Sequence, residues 1–155
     1  MQNEIRPIVI LIAEDDAEDR MLIKDALAES RLANTIQFVE DGEQLLDYLH
    51  NKNIYQDKTK YPVPGIILLD LNMPKMDGRE ALKEIKKDAR LRMIPIVVLT
   101  TSQAEEDVLR TYDLGVNSFI TKPVTFASLV DIMKTLGKYW FEIVELPNKA
   151  IKNKF

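Results

Sequence analysis

The sequence predicts an α/β domain in which five parallel strands form one sheet with helices on both faces. Continuous apolar runs rich in β-branched residues recur at 8–13, 36–39, 66–69, 96–99 and 116–120. Runs of that length suit strands buried on both sides, as in parallel sheets. Segments of helical period lie between them, and a strand–helix order repeated five times requires right-handed crossovers and a doubly covered parallel sheet. The length, 155 residues with 46% apolar content, matches one domain around one substantial core.

The elements follow in order. "PIVILIA" at 7–13 is too short to span a membrane and ends at Glu14-Asp15-Asp16, so it reads as the first strand. Residues 17–31 place Leu22, Ile23, Ala26 and Leu27 on one helical face, and 41–50 group Leu45, Leu46 and Leu49. His50 near the end of that second helix complements the helix dipole. "NKNIYQDKTKYPVP" at 51–64 is longer than a usual connector and carries two prolines, which predicts a surface excursion. The strand "IILL" at 66–69 runs straight into Asp70, and 77–87 offer Ala81, Leu82 and Ile85 as a helical face, with Met73 and Met76 as packing residues beside the intervening loop. Ser102 with Glu105 makes a capping-box start for a helix over 103–114, which Gly115 stops.

The last helix, 126–144, is apolar at Phe126, Leu129, Val130, Met133, Leu136, Trp140 and Val144. Ile132, Tyr139 and Ile143 form a second stripe, with Trp140 and Phe141 nearby, which is more than one domain needs to cover its sheet. That excess predicts a homodimer or partner surface on Ile132, Tyr139, Trp140, Phe141 and Ile143. The domain is read as 5–146, and 147–155 as a tail with three lysines and no acid.

A net charge of −4 argues against direct DNA binding, because little in the chain would neutralise phosphates in bulk. No cysteine is present, which removes disulfides, thiolate metal sites and cysteine nucleophiles and fits a cytoplasmic protein.

Working groups of open α/β sheets collect at the carboxyl ends of the strands. There the chain places Glu14-Asp15-Asp16, Asp70, Thr100-Thr101 and Lys122-Pro123. Two carboxylates about 5 Å apart repel by roughly 3 kcal/mol at an effective dielectric of about 20, so gathering Asp15, Asp16 and Asp70 calls for a cation. An all-oxygen set favours Mg²⁺ or Mn²⁺. Asp70 can then act as a nucleophile toward phosphorus, Lys122 can hold a second phosphoryl oxygen and Thr100 can donate to a third. The plain alternative is that Asp15 and Asp16 cap the first helix; Asp70 and Lys122 together weigh against it.

The run "AEDD", the block "LLDLNMPKMDG", the threonine ending the fourth strand and the Lys-Pro after the fifth resemble, in order and interval, the receiver domain of two-component response regulators. The resemblance covers about 5–136 and implies a flavodoxin-like (βα)5 receiver fold. It also implies a phospho-acceptor at Asp70, a direct metal ligand at Asp16, Asp15 as a ligand through water, and the backbone carbonyl of Asn72 as another. Thr100 and Phe119 match the switch positions and Lys122 the phosphate-binding lysine. Phe119 stands where tyrosine is common and Thr101 where a smaller residue is common. The long insert before the third strand, "YDLGVNSFITKP" and "YWFEIVELP" look like the single-domain regulators that serve phytochrome histidine kinases.

That resemblance implies a phosphoacceptor signalling domain, not an enzyme in the ordinary sense, which catalyses only its own phosphotransfer and slow dephosphorylation. Its partners would be a histidine kinase, a phytochrome among the candidates, and a downstream protein, since no output module follows residue 146. The competing reading is a Mg²⁺-dependent phosphohydrolase of the haloacid-dehalogenase kind. Such enzymes carry Asp-x-Asp, whereas Asn72 occupies the second position here and cannot act as an acid. A flavin protein would need a phosphate-binding loop after the first strand, and "EDDAEDR" would repel phosphate.

Overall fold

The computed structural model describes residues 8–29, 34–100, 116, 118–122 and 124–135. The described elements are β1 (Ile10–Ala13), α1 (Ala17–Glu29), β2 (Ile36–Val39), α2 (Gly42–Leu49), β3 (Ile66–Asp70), α3 (Gly78–Lys87), β4 (Ile96–Thr100), β5 (Ser118–Thr121) and α4 (Phe126–Thr135). Short 3-10 turns stand at Asn53–Tyr55 and Leu91–Met93. The helix expected over 103–114 lies outside the described residues, as does 136–144 of the last helix. None of the described helices is long and apolar enough to cross a membrane.

The strands form one parallel sheet in the order β2-β1-β3-β4-β5. Alternate residues of each strand feed opposite layers, as the two-residue period requires. Leu11, Ala13, Ile67, Leu69, Ile96 and Val98 pack with Leu45, Leu49, Ala81, Leu82 and Ile85 of α2 and α3. Ile10, Ile12, Ile66, Leu68, Val97, Leu99 and Ile120 pack with Ile23, Ala26, Leu27 and Leu129 of α1 and α4. The chain leaves β1 for β2 on one side and returns to β3 on the other, so a crevice opens at the carboxyl ends of β1 and β3.

Two expected core positions are corrected. Leu22 is 45% exposed, with Ile23, Ala26 and Leu27 filling α1's narrower buried face, and Phe126, at the first position of α4, is 41% exposed. A helical stripe read from sequence is wider than the contact a short helix makes with a sheet.

The 51–64 segment does run over the surface, but tyrosines anchor it. The rings of Tyr48, Tyr55 and Tyr61 meet pairwise with centroids 5.0–5.6 Å apart, in tilted or edge-on arrangements favoured by ring quadrupoles. Tyr48 donates to the Pro62 carbonyl at 3.0 Å, and the Asn51 amide donates to the carbonyls of Tyr55 and Tyr61. Burial, with Tyr61 and Tyr55 beside it, pushes the Tyr48 phenol up to about 12. An acid whose pKa is raised by folding stabilises the fold below its unfolded value and loses that contribution as pH rises. The urea midpoint should therefore fall between pH 10 and 12. Replacing Tyr48 by Phe should flatten that fall, with phenolate absorbance and circular dichroism followed together.

Candidate functional site

The in-register pairing of β1 with β3 sets the site. Ala13 lies beside Leu69, so the next residues, Glu14 and Asp70, emerge side by side at the sheet edge. Leu99 lies beside Asp70 and Thr100 beside Thr121, which brings Thr100 and Lys122 to the same edge. For Thr100 and Phe119 the structure describes the backbone alone. Glu14, Asp15, Asp16, Asp19, Asp70, Asn72 and Lys122 line a cavity of about 240 Å³.

Asp70 is almost fully buried. One oxygen accepts from the Asn72 N–H at 3.2 Å and the other meets Lys122 Nζ at 3.2 Å. Lys122 also stands 3.0 Å from Asp19 and 2.6 Å from Glu14. Burial alone would lower the Lys122 pKa, but the Glu14 and Asp19 carboxylates and the charge of Asp70 outweigh it and hold the ammonium well above the usual lysine range. Burial pushes the Glu14 carboxyl up to about 7, with the Lys122 contact working against it and the Asp70 charge adding to it.

The structure brings together a trio one residue away from the expected one. Single carboxylate oxygens of Glu14, Asp15 and Asp70 lie within 4.8 Å of one another. Asp16 instead caps α1, its Oδ1 accepting the N–H groups of Glu18 and Asp19 at 2.8 and 3.1 Å, and it borders the cavity from there. For Asp16 the capping alternative is what the structure shows, because the strand ends at Ala13 and the helix starts at Ala17. Glu14 is the residue that sequence reasoning missed. Its signal was its place directly after the first apolar run, the same place Asp70 holds after the third.

The trio fits a divalent cation. Its donors are all oxygen, and the Lys122 ammonium, 2.6 Å from Glu14 and 3.2 Å from Asp70, sets one positive charge against these three carboxylates. Arg20 fastens the loop that presents these acids, donating to the carbonyls of Glu14 and Asp15 at 2.9 and 3.0 Å.

Gly78, the first residue of α3, donates its N–H to the Leu71 carbonyl at 2.9 Å. A Cβ at this position would overlap the Asp70 carbonyl oxygen and come within 2.8 Å of Leu71 Cα. Backbone cannot yield as a side-chain tip can, so Gly78→Ala is expected to cost about 1–3 kcal/mol and to disturb Asp70. A lower urea midpoint at unchanged slope would register it.

Ile132, Tyr139, Trp140, Phe141 and Ile143 were expected to form a partner surface. The Ile132 side chain and the other four residues lie outside the described ones.

Comparison with known proteins agrees with this geometry. The family model described as the response regulator receiver domain matches residues 10–134. The chain is 40% identical over 141 residues to the response regulator Rcp1 of Synechocystis sp., covering 91% of this chain and 94% of Rcp1. The crystal structure of the Mn(2+)-bound form of Rcp1 covers 92% of this chain and all of its own, with a TM-score of 0.72 at 39% identity. The bacteriophytochrome response regulator RtBRR gives a TM-score of 0.81 at 40% identity, covering 94% of this chain and 87% of its own. The phosphorylated cyanobacterial phytochrome response regulator RcpA gives 0.72 at 41%, covering 87% and 94%.

Proposed function

This chain belongs to the response regulator receiver domain family, and from that premise we propose that it takes a phosphoryl group from a histidine kinase onto Asp70 and thereby changes a partner-binding surface. The observation that carries the reading is the arrangement around Asp70: a buried carboxylate 3.2 Å from a lysine ammonium, within a trio of acids that suits a divalent cation. The family match sets aside the phosphohydrolase reading.

Glu14, Asp15 and Asp70 would hold Mg²⁺, with Mn²⁺ able to replace it, since Rcp1 is known in a Mn(2+)-bound form. Asn72 lines the same cavity and can contribute its carbonyl. When bound, the cation offsets charge on the phosphoryl oxygens. The Asp70 carboxylate is the nucleophile. Its oxygen forms the new P–O bond as the P–N bond to the kinase imidazole breaks, and the imidazole nitrogen takes a proton on leaving. Lys122, now paired with carboxylates, exchanges one of them for a phosphoryl oxygen.

Thr100 and Phe119 then relay the change, Thr100 by donating its hydroxyl to the phosphoryl group and Phe119 by turning its ring. The added charge biases two arrangements of one surface. The domain is a phosphoacceptor that catalyses only its own phosphotransfer and slow loss of phosphate. The likeness to Rcp1, RtBRR and RcpA supports a phytochrome kinase as the donor in the cytoplasm. The second apolar stripe of the last helix supports a homodimer, and the net charge of −4 supports protein rather than nucleic-acid partners.

The test is phosphotransfer from a panel of purified, radiolabelled histidine kinases that includes phytochromes, with sedimentation velocity of the product. Rapid transfer from a phytochrome kinase and a dimer are expected. Transfer from none, or from unrelated kinases alone, would overturn the donor assignment, and a single monomeric species at micromolar concentration would overturn the dimer.

A further inference from the structure

Among the described residues Lys122 has three carboxylate partners, and two of them have another use. Glu14 and Asp70 belong to the trio that suits a divalent cation, and both are nearly sealed from solvent. Asp19 is not in that trio. It stands in the first turn of α1 with its side chain 30% exposed, its Oδ2 is 3.0 Å from Lys122 Nζ, and Asp16 Oδ1 holds its backbone N–H at 3.1 Å. A cation seated on Glu14 and Asp70 draws on the same oxygens as the ammonium and repels it at close range.

We propose that Asp19 is a positioning residue for Lys122: it keeps the ammonium at the mouth of the site when a divalent cation occupies Glu14, Asp15 and Asp70. The inference rests on the proposed receiver reading and deepens it. Without Asp19, the ammonium has Glu14 and Asp70 as its remaining partners and competes there with the metal. With Asp19, metal and lysine occupy the site together, and Lys122 is already in place for the incoming phosphoryl oxygen. The Asp16 cap has a part in this, because it fixes the turn from which Asp19 reaches across.

The experiment is a Mn²⁺ titration, with free ion read from its electron paramagnetic resonance signal, on four full-length proteins: the natural chain, Asp19→Ala, Lys122→Met and the double variant. Asp19→Ala is expected to weaken Mn²⁺ binding about three- to tenfold, and to weaken it less than about twofold once Lys122 is gone. A purely structural role, or a general attraction of Asp19 for cations, predicts equal weakening in both backgrounds, and that result would overturn the proposal, as would no weakening in either. Asp19→Asn, which keeps an acceptor at the same place, should fall between the natural chain and Asp19→Ala, and it serves as the comparison if Asp19→Ala does not fold. Failure of the natural chain to bind Mn²⁺ would overturn the metal reading itself, a result distinct from the absence of coupling.

Discussion

Asp70→Asn is expected to abolish labelling by acetyl phosphate. The amide nitrogen's lone pair is delocalised and its oxygen is a poor nucleophile toward phosphorus, so the substitution removes the reacting group while keeping its size. The fold should survive. Asn can still accept from the Asn72 N–H, and Lys122 keeps Glu14 and Asp19 as partners. Loss of label with an unchanged melting curve therefore isolates the chemistry. Label of undiminished extent, carried by another residue, would remove Asp70 from the role.

Glu14→Gln is expected to weaken binding of a divalent cation by more than about tenfold. Asp16→Ala should change that affinity far less and instead lower stability by about 1 kcal/mol, the usual cost of losing a helix cap. Glutamine matches glutamate in volume, so the fully buried position is not emptied, and what is lost is one anionic oxygen of three. Metal titration and urea unfolding of the two variants separate the roles cleanly. The reverse pattern, a large metal effect at Asp16 and a small one at Glu14, would restore the ligand set read from the sequence.

The acid trio shows where reading the chain succeeds and where it stops. Three consecutive acids after an apolar run mark a strand end at the working edge of the sheet. Which of them reaches the crevice depends on where the extended backbone gives way to the helix. β1 ends at Ala13 and α1 begins at Ala17, which leaves Glu14 in line with the strand, next to Asp70, and turns Asp16 toward the helix as its cap. Adjacent aspartates looked like the pair from composition, but the parallel register selects the glutamate. Leu22 and Phe126 show the same limit for helices, since a periodic stripe does not say how far around the helix the sheet reaches. The insert at 51–64 was legible as a surface connector. Its anchoring was not, because three tyrosines separated by loop have no period that announces their contact.

Five buried parallel strands, an acid at the end of the third, a lysine after the fifth and the likeness to a receiver domain were legible from the chain alone, because apolar runs and the charged residues that end them are local signals. That Glu14 joins Asp15 and Asp70, that Asp16 caps α1 and that Asp19 meets Lys122 follows from the folded arrangement. Those choices depend on contacts between β1, β3, α1 and the loop after β5; Asp19 and Lys122 stand 103 positions apart in the chain. Distances of a few ångströms between charges, which set their energies, exist only once the sheet has brought the segments together.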